Sequence, residues 1–293
     1  MGKIIVRVPA TSANLGPGFD SIGVAFHLYL TVIVEEATNQ WRVNHALGSD
    51  VPNDERNLIV QAALKVNPKL SPHQLTVMSD IPVARGLGSS STAIVAGVKI
   101  ANALGEMNLS LAQQVTLATK MEGHPDNVAP AILGDVVVAD FDGETATTVK
   151  LSLPDDLKAL AFIKKQPLLT SESRGVLADT LPRQQAILGS SVANLLVAAL
   201  ATGDWATASQ MMERDQFHEN ARTKLVPELP VIREAAHQLG IFGTYLSGAG
   251  PTIATFGTEA QLIVLRQKLT DMNLLGSLRI FDIDRVGATV NAE

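Results

Sequence analysis

The chain opens on IIVRVPA (Ile4–Ala10), branched apolar residues broken by a polar one, which predicts a strand closed by Pro9. Thr11–Gly23 carries three glycines and a proline among small polar residues, so a loop with unusual backbone demands is expected there. His27–Ala37 is rich in β-branched side chains and predicts the next strand. Past a connector holding Gly48, Pro52 and Asn53, the apolar spacing of Asn57–Val66 predicts a helix. Gln74–Pro82 reads as a strand entering a glycine loop, and the helix after that loop runs to about Leu104. Leu109–Gly123 predicts a second helix with Ser110 as its N-cap.

A polar cluster, His124–Asn127, and a short helical piece precede a strand at Asp135–Phe141 that turns at Asp142-Gly143. Leu157–Lys165 predicts a strand, helical segments occupy much of Ser173–His218, and Val231–Gly240 is a helix stopped by its glycine. Gly243–Gly257 predicts a strand, a second glycine turn and another strand; Ala260–Met272 a helix; Leu278–Asp284 a last strand. Helices and strands mix without strict alternation, which favours the α+β class over a doubly wound sheet. A boundary near residue 155 divides the chain into 1–155 and 156–293. Neither an internal repeat nor a low-complexity tract is present.

At 293 residues and 46% hydrophobic content the chain can bury a substantial core. Lys and Arg number 23 against 29 Asp and Glu, a net charge of −6, so neither nucleic acid nor an anionic membrane is an expected partner. The absence of cysteine excludes disulfides, thiolate metal sites and a Cys nucleophile, and is compatible with a reducing cytosol. The apolar run at the N-terminus is too short for a signal peptide, and Val6 stands where a myristoylation signal wants Ser or Thr. No uninterrupted apolar segment of membrane-spanning length is read from the pattern, and the expectation is a soluble cytoplasmic protein.

Chemistry enters at Ile81–Ala93, IPVARGLGSSSTA. Gly86 and Gly88 permit positive φ and close approach to a ligand, and the following helix points its free N–H groups at the same spot, as a polyphosphate requires. Alone, GLGSSS fits a strand-to-helix turn with serine caps equally well. It lacks the third glycine and downstream acid of a dinucleotide fold and the Gly-Lys-Ser/Thr of a Walker A loop. Two further loops of small residues, SANLGPGFD and LSGAGPT, lie far from it in sequence and are hard to explain as turns alone.

PATSANLGPGFDSIG, PVARGLGSSSTA and LSGAGPT resemble, in order and spacing, the three signature motifs of the GHMP kinase superfamily. SANLGPGFDSIG and HPDNVAPAILG (His124–Gly134) resemble its homoserine kinase branch most closely. The resemblance implies two α+β domains, an N-terminal one like ribosomal protein S5 domain 2 and a ferredoxin-like C-terminal one, with the site in the cleft between them. It also implies ATP-dependent phosphorylation of the γ-hydroxyl of L-homoserine on the threonine pathway, with Mg²⁺. Alternatives are another small alcohol such as mevalonate as acceptor, or a non-catalytic nucleotide or amino-acid sensor. Relatives are often homodimers, though no stretch here identifies an interface.

By resemblance, the loop Pro82, Val83, Ala84, Arg85, Gly86, Leu87, Gly88, Ser89, Ser90 and Ser91 wraps the phosphates, and Asn57 lies near the adenine, or is a plain N-cap. Ser90 and Glu122 are the Mg²⁺ ligands, while Ser89 and Ser91 serve as caps; Glu122 is otherwise a solvated helix-end acid. A single glycine separates Glu122 from His124, a shorter spacing than in many members. Asp20 and Asn127, with His124 nearby, take the substrate ammonium. Asn14 and Arg174 are the catalytic candidates, Asn14 orienting the attacking hydroxyl. Arg174 and Arg222 hold the carboxylate, and Thr170 lies near the hydroxyl. The branch is thought to use no dedicated general base. LSGAGPT is expected to pack against the phosphate loop, or to be a hairpin-like turn.

Overall fold

A computed structural model describes residues 3–292. Its first sheet is built on β1 (Ile4–Ala13) and β2 (Ile22–Ala37), antiparallel with Ile4 opposite Val34 and Ala13 opposite Gly23. Pairing does not stop at Pro9: the register shifts between Pro9 and Ala10, and this irregularity absorbs the residue that cannot donate. The loop expected over Thr11–Gly23 therefore contracts to the residues between β1 and β2. β3 (Arg42–Asn44) runs parallel to β4 (His73–Ser79), which pairs with β2. β5 (Val136–Phe141) pairs with the start of β2 and with β6 (Ala146–Leu151). The last strand, β11 (Thr289–Ala292), returns to pair with β1, Ile4 opposite Ala292. The short strands β3, β6 and β11 carry no pattern strong enough to foresee them.

Against this sheet pack α1 (Leu58–Val66), α2 (Ser89–Leu104), α3 (Leu111–Glu122) and α4 (Val128–Leu133). Their starts follow local chemistry. The Asn57 side chain accepts from the Ile59 amide, Ser110 and Gln113 form a capping box, and α2 starts from Gly88 in the left-handed region at φ 69°.

The second sheet has β7 (Leu157–Lys164) between β10 (Gly276–Asp282) and β9 (Ile253–Thr258), with β8 (Thr244–Leu246) at the edge, all antiparallel. Around it lie α5 (Thr170–Gly175), α6 (Arg183–Thr202), α7 (Trp205–Met212), α8 (Glu219–Arg222), α9 (Glu228–His237) and α10 (Glu259–Asp271). The free edge of β8 is closed by side chains instead of a strand. Glu213 accepts from the Gly243 and Thr244 amides, Glu219 accepts from the Leu246 amide, and Arg233 donates to the Thr244 carbonyl.

The two sheets share one hydrophobic core. Phe26 of β2 lies 6.4 Å from Phe256 of β9 and 5.8 Å from Phe281 of β10, ring centre to ring centre. A second cluster sits where α9 and α10 cover the other face of the second sheet, around Leu229, Ile232, Leu262 and Leu265. One expectation needs correcting: α6 is long and apolar enough, by length and composition, to cross a membrane. Its Val192, Leu196, Ala199 and Leu200 are buried in the core.

Candidate active site

The first and third glycine motifs meet across the two sheets. Ser12 Oγ lies 2.7 Å from both the Tyr245 hydroxyl and Ser247 Oγ, and the Gly248 amide donates to the Ala13 carbonyl at 3.1 Å. The second motif closes the set: Ser247 Oγ donates to the Gly86 carbonyl at 2.5 Å. A Cβ on Gly86 would stand 2.5 Å from the Ser247 carbonyl oxygen and 2.8 Å from that of Gly250. At Gly88 it would stand 2.1 Å from Thr11 Oγ1. Both positions have positive φ, so glycine is demanded by conformation and by space.

These loops wall a cavity of about 460 Å³ between the sheets. Val83, Ala84, Arg85, Gly86, Gly88, Ser89, Ser90 and Ser91 line it, whereas Pro82 and Leu87 do not. Leu87 points into the core at 1% exposure and meets the site only through its carbonyl, which accepts from the Thr11 amide. Among the described residues no side chain caps the first-turn amides of α2, which leaves that end as an anion-binding surface at the cavity wall. Further along, Leu47, Val51, Pro52, Leu58 and Val77 form an apolar end.

The serines divide differently from the expectation that Ser91 only caps. Ser91 is buried and its Oγ donates to Glu122 Oε1 at 2.7 Å, while Ser90 is exposed to the cavity. Burial pushes the Glu122 carboxyl up in pKa, only partly offset by Ser91 and by His124. Asn57 lines the apolar end and serves as the N-cap of α1. Its Oδ1 caps α1 and its Nδ2 donates to the Pro52 carbonyl at 2.7 Å, so its amide shapes the apolar end from beneath.

At the opposite end Arg174 and Asp20 form a two-pronged pair, Nη1 to Oδ2 at 3.0 Å and Nη2 to Oδ1 at 2.6 Å. His124 Nδ1 bonds to Asp126 Oδ1, which also accepts from Asn127; Asn127 Oδ1 accepts from Thr11 Oγ1 at 2.8 Å. Burial works against a charged His124, but Asp126, aided by Asp20 and Glu122, outweighs it and raises the imidazole pKa. Ligand atoms of Asp20, His124 and Asp126 lie within 4.8 Å of one another, a spacing a metal could use. Their oxygens are engaged by Arg174, His124 and Asn127, and the group reads as a cation-attracting wall.

Arg222 is 1% exposed and has no carboxylate in ion-pair range among the described residues. It donates to the Ser173 carbonyl at 3.2 Å, the Gly248 carbonyl at 3.1 Å and His218 Nδ1 at 3.1 Å. His218 Nε2 faces the Gly16 carbonyl at 2.9 Å; a carbonyl only accepts, so the proton is assigned to Nε2 and Nδ1 is free to accept from Arg222. Burial, with repulsion from Arg174, pushes the Arg222 guanidinium down to about 10. The Phe19 ring lies 5.6 Å from the Arg174 guanidinium and 5.5 Å from that of Arg222, stacked on His218.

Asn14, Asp20, His124, Asn127, Thr170, Arg174 and Arg222 all line the cavity. Asn14 has less freedom than expected: at 2% exposure, its Nδ2 donates to the Gly248 carbonyl and its Oδ1 accepts from the Asp20 amide. It fastens one loop to another and sets Asp20. Sequence reasoning missed Asp126, Phe19 and His218. The first two stand inside motifs already singled out and were legible as candidates; His218, four residues before Arg222, carried no local signal.

Residues 57–135 match the family model described as GHMP kinases N terminal domain, and residues 196–273 match GHMP kinases C terminal. A homoserine kinase of Lactiplantibacillus plantarum is 52% identical over 98% of this chain and 99% of its own length. One from Leuconostoc mesenteroides is 49% identical, covering 98% of each. A solved structure from Listeria monocytogenes, provisionally assigned as a homoserine kinase, superposes with a TM-score of 0.89 at 42% identity over 99% of both chains. Three glycine loops joined around one cleft, two matched domain models and full-length identity near one half carry the same conclusion: the chain belongs to the homoserine kinases of the GHMP kinase family.

Proposed function

We propose that this chain transfers the γ-phosphoryl group of ATP to the γ-hydroxyl of L-homoserine, yielding ADP and O-phospho-L-homoserine, a step of threonine synthesis in the cytoplasm. The observation that carries the reading is the charge layout of the cavity. Arg222, a buried cation without a carboxylate partner among the described residues, stands across from an acidic wall of Asp20 and Asp126, beside the uncapped N-terminus of α2. A zwitterion with a hydroxyl, held next to a polyphosphate, matches that layout.

In this reading the nucleobase occupies the apolar end and the phosphates lie along Val83–Ser91. Mg²⁺ prefers hard oxygens and needs only one or two from protein. Glu122 fits that demand: Ser91 occupies Oε1, its elevated pKa marks a carboxylate that gains from a nearby cation, and the Ser90 hydroxyl is open to the same cavity. Glu122 and Ser90 would hold the ion, which when bound neutralises charge on the transferring phosphoryl group. The substrate carboxylate sits on Arg222 with Arg174, and its ammonium on Asp20 with the Asp126–His124 pair. Both Asp20 oxygens are held by Arg174, so Asp20 binds and orients; it is not poised as a base. Rate enhancement then comes from alignment and charge neutralisation, as phosphoryl transfer through a loose transition state allows.

The test is ADP release with a panel of acceptors: L-homoserine, L-serine, L-threonine and mevalonate. Turnover is expected with homoserine, and none with mevalonate, which has no ammonium for the acidic wall. Turnover with mevalonate and none with homoserine would overturn the assignment.

A further inference from the structure

Arg85 belongs to the phosphate loop, yet its side chain reaches out of it. Nε donates to the Lys164 carbonyl at 3.0 Å and Nη2 to the Lys165 carbonyl at 2.5 Å. Nη1 donates back to the carbonyls of Val83 at 3.0 Å and Ala84 at 3.4 Å. No carboxylate stands within ion-pair distance of it among the described residues. The guanidinium thus bridges backbone to backbone, from the phosphate loop to the end of β7. A second link runs alongside, from the Leu168 amide to the Ala84 carbonyl at 3.3 Å.

The clasped strand end leads, through residues 165–169, into α5, which carries Thr170 and Arg174. Past the clasp, α5 is fastened by Ser173, whose Oγ donates to the Ala249 carbonyl at 2.6 Å and whose own carbonyl accepts from Arg222. Among the described residues, the only side chain joining the phosphate loop to the approach of α5 by several donors is therefore Arg85. A planar fork can span two consecutive carbonyls while gripping two of its own loop; an ammonium on a flexible stem cannot.

We propose that Arg85 is a positioning residue that couples the two ligands: it ties the phosphate-binding loop to the segment bearing Thr170 and Arg174, so that nucleotide ordering one orders the other. The inference rests on the assignment of these two segments to nucleotide and acceptor given above. Coupling of this kind is reciprocal, so each ligand tightens the other by the same factor.

Two measurements on the full-length protein test it. Homoserine affinity is titrated calorimetrically with and without saturating Mg²⁺ and adenylyl imidodiphosphate, for wild type, Arg85→Lys and Arg85→Ala. Wild type is expected to bind homoserine about fivefold or more tightly with the nucleotide analogue present. Both variants are expected to show less than about twofold tightening, on the same scale of coupling. Full retention of coupling in Arg85→Lys would reduce the residue to a charge beside the phosphates and overturn the proposal, as would a wild type without coupling. Hydrogen exchange over residues 166–174 supplies a readout independent of the acceptor's identity. The nucleotide analogue alone should slow exchange there in wild type and not in Arg85→Lys. Equal protection in both overturns the clasp, even where homoserine proves to be the wrong acceptor.

Discussion

Replacing Gly86 with alanine probes the junction of the phosphate loop with the loop 247–250. The added Cβ would lie 2.5 Å from the Ser247 carbonyl oxygen, where ordinary contact begins at 3.4 Å, so one loop must retreat by 3.4 − 2.5 = 0.9 Å. The residue also sits at φ 74°, which costs a non-glycine residue about 1–2 kcal/mol. The retreat breaks the Ser247 hydrogen bond to the Gly86 carbonyl, worth about 1 kcal/mol more. The sum, about 2–3 kcal/mol, corresponds to a Tm lower by roughly 3–5 °C in a chain of this size. A displacement near 1 Å at a site that works by alignment costs about 100-fold in kcat/KM for ATP. Gly203→Ala is the control: φ is 72° but nothing lies within 4 Å of the added Cβ, so it carries strain without a clash. It should lose a few degrees of Tm and no activity. Coupled ADP-release kinetics and thermal melts of both variants decide the matter. Gly86→Ala with kcat/KM within about threefold of wild type, and a Tm no lower than that of Gly203→Ala, would refute the reasoning.

Asp20→Asn keeps a hydrogen bond toward Arg174 and removes the negative charge. With the Asp20 side chain 33% exposed, the low end of a charge-assisted bond applies, and KM for homoserine should rise about tenfold with kcat nearly unchanged; a collapse of kcat at constant KM would contradict the ammonium assignment. Glu122→Gln should raise the half-activating Mg²⁺ concentration by about tenfold or more, whereas Ser91→Ala, which only frees Glu122 Oε1, should raise it a few-fold at most; Mg²⁺ titration of initial rates distinguishes them. Lys99 is 6% exposed, makes no ion pair or hydrogen bond among the described residues, and has its pKa lowered by burial. Its folded form sheds the proton before the unfolded form does, so wild-type stability gains with pH between the lowered value and the ordinary one. Lys99→Met should therefore melt a few degrees higher at neutral pH, by a margin that shrinks as pH approaches the ordinary lysine range, with kinetics unchanged; a margin that widens with pH would show the sign to be wrong.

Local chemistry was legible from the residues alone. The caps at Asn57 and Ser110, the 3.6-residue spacing of α1 to α3 and the glycine loop at α2 depend on neighbours within a few positions, and all appear where the pattern put them. The long strands β2, β7 and β9 were legible for the same reason. Continuation of β1 past Pro9 was not, because only pairing with Phe26, Ala25, Val24 and Gly23 holds Ala10–Ala13 extended. Nor were β3, β6 and β11, whose hydrogen bonds belong to partners remote in the chain.

By itself, the sequence determined the family, the class of fold and the residue types that line the cleft, because three motifs each carry their own backbone requirement. Only the tertiary structure decided what each polar group faces. Ser91 meets Glu122 across 31 positions, Arg174 meets Asp20 across 154, and Asn14 meets Gly248 across 234. A side chain's role depends on the partner that satisfies it in a buried place, and these partners arrive through folding over distances that no local pattern encodes.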